Sequence, residues 1–174
     1  MKYILALIPI LALIFSGCDK TDPPVDNSPY WGTCSAIVNG ENWEGDPVAG
    51  VNINHGNGVD LIIDSLDKYG IKRSVLGIMK VPLKIGTYPI VVTTPQVNDG
   101  KVGAINAPLE DDIVLGYYKV LELDSSSYIT LTSYDSVSNE ISGIFDITFL
   151  KEQGGSLYPD TLRFRDGQFH TKVK

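Results

Sequence analysis

The chain has 174 residues, a formal net charge of −7 and only two cysteines. The acidic balance excludes nucleic acid as a partner, because neutralising phosphates takes clustered Lys and Arg. It also excludes a polybasic membrane patch. The length suits one domain, with a core large enough to need no disulfide framework.

Residues 1–17 read as a secretion signal. Met1-Lys2-Tyr3 is a short positive head, Ile4 to Phe15 an unbroken apolar run, and Ser16-Gly17 a pair of small residues before a cut. The run falls short of the roughly 20 apolar residues that span a bilayer. Cys18 follows directly, and the chain turns polar at Asp19-Lys20. This layout resembles the lipobox of bacterial lipoproteins, with Phe15 standing where those carry Leu. The resemblance implies that Cys18 is a lipidation site. Its thiol would take a diacylglyceryl group, a dedicated peptidase would cut before it, and the new amine would be acylated. One acyl chain gives marginal binding at about 0.8 kcal/mol per buried methylene, whereas several chains on one residue make a stable anchor. The implied location is the bacterial cell envelope, lipid-anchored at the outer membrane and facing either the periplasm or the surface.

Residues 18–29 are then the lipidated cysteine and a flexible tether. Asp19 to Pro29 has almost no apolar content and three prolines, so it cannot pack a core. Residues 30–174 form the remaining unit, expected to be a single β domain. With Cys18 acylated, Cys34 lacks a partner and reads as a small buried strand residue. A Cys18–Cys34 disulfide would contradict lipidation.

The first hairpin is the clearest local signal. Cys34 to Val38 is β-prone and Asn39-Gly40 follows, both residues accepting positive φ. A two-residue turn pairs Val38 with Glu41 and Ala36 with Trp43, placing the large ring over a small residue. Strands are expected over Pro47–Ile53, Val59–Leu66 and Ile71–Val81. His55 to Gly58 forms one turn and Asp67 to Gly70 another. Alternation places Ile71, Val75, Met79 and Val81 on one face. Gly86-Thr87-Tyr88 leads into Ile90–Val92, and residues 94–111, rich in Pro, Asn, Gly and Asp, read as a long loop. Residues 113–121 fit both a helical face and strand alternation; Gly116 favours strand. Tyr128–Tyr134 is a strand, and 135–139 turns. Ile141, Gly143, Phe145, Ile147 and Phe149 then line one face without a break. In the last strand Asp166-Gly167 inserts a bulge that returns Phe169 to the face of Phe164. The fold class is therefore all-β, an antiparallel sandwich or flattened barrel of about 8–10 strands. Val38, Ile63, Val75, Tyr88, Ile129, Leu131, Phe145, Ile147 and Phe164 are its expected core.

The order of these features resembles a family of small Bacteroidota lipoproteins grouped as a domain of unknown function. The shared marks are Asn39-Gly40 with Trp43, Gly86-Thr87-Tyr88, Ile141-Ser142-Gly143-Ile144-Phe145 and Gly167-Gln168-Phe169. The resemblance spans nearly all of the chain after the tether. It implies an envelope location and an all-β domain, and supplies no activity and no functional residues.

Enzyme chemistry finds no foothold. The chain has no Gly-x-Ser-x-Gly motif, and no base is identifiable for Cys34. The two histidines, His55 and His170, lack zinc-ligand spacing. Gly56-x-Gly58 lacks the third glycine of a nucleotide loop. Glu110-Asp111-Asp112 is the densest acidic run, but the spaced ligands of a calcium loop are absent and it reads as a solvated charge run. Arg163 and Arg165 share a strand face that could meet an anion, an ordinary exposed face being the plainer reading. No cofactor is expected. The expected function is a ligand-binding or interaction module meeting a glycan or a protein partner, with an accessory or structural subunit as the alternative. Tyr30, Trp31, Tyr117, Tyr118 and Tyr158 are the aromatic candidates for a ligand site.

Lipidation at Cys18 is directly testable. Mass analysis of the wild-type N-terminal peptide should show a chain beginning at Cys18 with several acyl groups. Cys18→Ser should fail to label with a fatty-acid probe and accumulate as uncleaved precursor. An unacylated mature chain with Cys18 bonded to Cys34 would sink the assignment.

Overall fold

The computed structural model describes residues 31–52, 58–93, 99–122 and 126–174. The signal segment, Cys18, the tether, Tyr30 and His55 lie outside them. Among the described residues the chain is all strand: β1 (Gly32–Val38), β2 (Glu41–Asn52), β3 (Gly58–Leu66), β4 (Lys72–Pro82), β5 (Gly86–Val91), β6 (Val102–Glu110), β7 (Ile113–Val114), β8 (Gly116–Val120), β9 (Tyr128–Asp135), β10 (Glu140–Gly154) and β11 (Thr161–Lys172).

The pairings run β11-β1-β2-β3-β4-β6, and β6 continues both to β8 and through β5 to β9. Both branches reach β10, which pairs with β11 and closes the ring. The result is a flattened barrel. All pairings between these strands are antiparallel except β5–β6.

The first hairpin has the expected register, Val38 opposite Glu41 and Ala36 opposite Trp43. Asn39 and Gly40 take φ of 51° and 92°. The Asn39 side chain also ties this turn to β11: its amide donates to the Thr161 carbonyl (3.0 Å), and its carbonyl accepts from the Arg163 N–H (2.9 Å). The second hairpin closes at 67–70, where the Asp67 carboxylate accepts from the Tyr69 and Ile71 amides and pairs with Arg73 at 2.7 Å.

The interior is filled by alternate residues of the longest strands. In β10, Ile141, Gly143, Phe145, Ile147 and Phe149 are all buried. Phe164 sits at the centre, edge-on to Trp43 (5.2 Å) and to Phe149 (5.7 Å), with Phe145 tilted at 6.5 Å. Each such pair contributes about 0.5–1.5 kcal/mol beyond area burial. Trp43 thus has the structural role its pairing implies. Ile63, Ile129, Leu131, Phe145, Ile147 and Phe164 are core residues as expected, whereas Val38, Val75 and Tyr88 are only half-buried.

The expected face of β4 is corrected. Leu76 and Ile78 point into the core, so Val75 and Met79 lie on the opposite side. The register against β3 shifts between Val59 and Leu61, and Lys80 takes a φ of 63°. That bulge returns Val81 to the interior, so strict alternation across it fails. The long loop is also corrected. Residues 102–110 form β6, a strand in the barrel wall between β4 and β8. Its small residues fit because neighbours fill their space: Gly103 makes room for Thr93, and the buried Asn106 amide donates to the Val75 carbonyl at 3.1 Å. Within 113–121 the chain forms strands, β7 and β8, and no helix.

The β11 bulge is present. Asp166 takes a φ of 52°, and register shifts on both sides of β11 at this point. Phe164 and Phe169 are consequently both buried. Gly167 lies under Phe145, where an added Cβ would come within 2.6 Å of both the ring and the carbonyl oxygen. Gly167→Ala should therefore lower stability by about 1–3 kcal/mol. Gly155→Ala, where nothing stands within 4 Å of the added carbon, should stay within about 0.5 kcal/mol of wild type. Urea midpoints of the two variants check this.

Candidate functional site

β1 alternates cleanly. Cys34 and Ala36 point inward, leaving Thr33, Ser35 and Ile37 outside. On β11 the bulge changes which residues face out. Arg163 and Arg165 are outward before it, and Gln168 and His170 after it, because the bulge absorbs one step of the alternation. β10 adds Ser142 and Ile144 to the same outer wall, and β9 adds Thr132.

Two shallow depressions lie along this wall. One, of about 420 Å³, is lined by Thr33, Ser35, Thr132, Ser142, Gln168 and His170, among others. The second, of about 400 Å³, is lined by Ile37, Asn39, Gly40, Thr161, Arg163 and Arg165. Among the described residues the Thr33, Ser35 and Gln168 side chains make no hydrogen bond. Their donors and acceptors are therefore available to solvent or a ligand. At the end of the wall Trp31, 38 % exposed, meets the His170 ring edge-on at 5.0 Å, and the Lys172 ammonium lies 4.3 Å from its centroid. Glu140 faces both His170 (3.4 Å) and Lys172 (3.5 Å).

The four aromatic candidates among the described residues are not brought together. Tyr118 is buried and donates its hydroxyl to the Pro159 carbonyl at 2.6 Å; burial is the main cause of its raised pKa. Tyr158 packs against the core, and Tyr117 is exposed on β8. Of these four, Trp31 borders the polar wall. Cys34 is buried, as its strand alternation implies, and burial pushes its thiol up to about 12, which keeps it protonated and poorly nucleophilic. Glu110, Asp111 and Asp112 sit at the β6–β7 turn, and no group of three acidic, His or Cys side chains that could hold a metal occurs among the described residues.

One feature escaped the reading of the sequence. Lys80, at the β4 bulge, has a side chain only 2 % exposed, and its ammonium meets Asp99 at 2.9 Å and Thr93 at 2.8 Å. The only sequence signal was a lysine near the end of an apolar strand. The pair ties the segment before β6 to the barrel wall.

Comparison with protein-family models, with curated proteins and with solved structures finds no match to this chain.

The Lys80 hydrogen bond, followed by that from the Lys101 amide, holds the Asp99 carboxyl down to about 2. A depressed carboxylate contributes stability above its unfolded pKa and loses it as pH falls through the folded one. The wild-type thermal midpoint should therefore drop as pH falls from the ordinary carboxylate range toward about 2. Asp99→Asn should start lower at neutral pH and show a shallower acid slope. Parallel slopes would remove the pair from the stability account.

Proposed function

We propose that the protein is a lipid-anchored module of the bacterial envelope, held by Cys18 at the outer membrane, that binds a glycan across the outer wall of β1, β11 and β10. The carrying observation is the set of side chains without a partner among the described residues, Thr33, Ser35 and Gln168, gathered around one depression with Ser142 and His170. A polyhydroxylated ligand replaces their water hydrogen bonds one for one, which is how polar groups are covered without loss. Trp31, partly exposed, stands at the border of the same wall. Added-strand recognition of a peptide is disfavoured here, because β1, β10 and β11 are each paired on both sides. The resemblance to small Bacteroidota lipoproteins supports the envelope location and gives no ligand.

The second reading is an accessory subunit of an envelope complex with no small ligand. The dispersal of Tyr117, Tyr118 and Tyr158 favours it, since a stacking platform needs aromatics that the core does not use. Neither reading assigns the chain a catalytic role.

A glycan array probed with the detergent-solubilised full chain separates the two. The glycan reading expects a defined set of hits, weakened about tenfold by Gln168→Ala through loss of its hydrogen bonds. An empty array together with a stoichiometric protein crosslinked in native membranes would move the assignment to the accessory reading.

A further inference from the structure

The chain holds three arginines. Arg73 is taken up by Asp67 at 2.7 Å. The other two, Arg163 and Arg165, are two residues apart on β11 and line the same depression of about 400 Å³. Strand geometry places their Cα atoms about 7 Å apart on one face. Among the described residues neither forms an ion pair with a carboxylate, although acidic residues outnumber basic ones in the chain, 21 to 14.

The surroundings hold the Arg165 guanidinium and the Arg163 backbone in place. Arg165 donates through Nη1 to the Phe164 carbonyl and through Nη2 to Thr148 Oγ1, each at 2.9 Å. A guanidinium has five N–H donors, so three remain on Arg165 and all five on Arg163. The backbone beneath Arg163 is clamped by Asn39, which accepts its N–H at 2.9 Å and donates to the neighbouring Thr161 carbonyl. The Thr161 hydroxyl, also on the rim, makes no hydrogen bond among the described residues. Two like charges so placed repel, and an anion between them turns that repulsion into attraction. Their planar forks suit a carboxylate or phosphate, which accepts paired N–H donors.

We propose that Arg163 and Arg165 form an anion-binding subsite that takes the carboxylate or phosphate of an acidic saccharide. The saccharide part of this inference rests on the glycan reading above: the subsite continues the wall carrying Ser35 and Gln168 on the same two strands.

Calorimetric titration of the full chain in detergent micelles tests it, with glucuronate, glucose 6-phosphate, inorganic phosphate and glucose as probes. The expected result is that at least one acidic sugar binds about tenfold or more tighter than glucose, with an advantage that shrinks as salt is raised. The comparison of glucuronate with glucose 6-phosphate identifies the anion. Arg163→Gln should abolish the advantage and Arg163→Lys should keep part of it. Because Arg163 is exposed, the melting temperature of both variants should match wild type. Equal affinity for charged and neutral sugars, or an unchanged preference in Arg163→Gln, overturns the subsite while leaving the glycan wall standing. Arg163-dependent binding of inorganic phosphate with no sugar bound upholds the subsite and removes the saccharide. No binding by any probe overturns both.

Discussion

The contact between Gly167 and Phe145 is the constraint on which the rest of the barrel depends. β11 must bury Phe164 and Phe169 while its neighbours β1 and β10 keep pairing on both sides. Strict alternation would put those two rings on opposite faces, since five positions separate them. The bulge removes one step, and it is possible because Gly167 has no side chain to meet the Phe145 ring. One backbone irregularity therefore fills the core and turns Gln168 and His170 outward. Core packing and surface chemistry share a cause here: the residues that form the polar wall are outside because the phenylalanines are inside.

Much of this was legible in the residues because local chemistry and tertiary packing agreed. Asn39-Gly40 can accept the positive φ of a tight turn, and Trp43 does lie over Ala36. The alternation of β10 runs unbroken for five apolar or small positions, and no helix accommodates that period. Asp166-Gly167 read as a bulge because the aromatic spacing demanded one. What stayed hidden depended on partners distant in sequence. β6 is built from Gly103, Ala104, Asn106, Ala107 and Pro108, residues of low strand propensity that are strand because β4 and β8 flank them. Alternation alone does not give the face of β4, because nothing local announces that Lys80 takes a φ of 63° and puts Val81 on the opposite face from Val75 and Met79.

The surface was less legible than the core for a related reason. A strand residue's inward or outward place follows from period, but what stands beside it across the sheet does not. Thr33, Ser35 and Gln168 are unremarkable in sequence; register alone brings them around one depression. Arg163 and Arg165 were recognisable as a shared face. That they meet no carboxylate among the described residues is visible only in three dimensions. The aromatic residues misled in the other direction. Tyr118 and Tyr158 look available by composition, yet the core takes up both.

Closure of the ring through β1, β11 and β10 is the central claim, since it buries the core and presents the polar wall as a continuous surface. Backbone amide hydrogen exchange on the full chain tests it most directly. In a closed barrel the amides bonded across β1–β11 and β10–β11 exchange only through global unfolding, as slowly as those across β3–β4. Exchange orders of magnitude faster along β1 and β11, with β3 and β4 still protected, would show an open sheet edge at that seam and contradict the account.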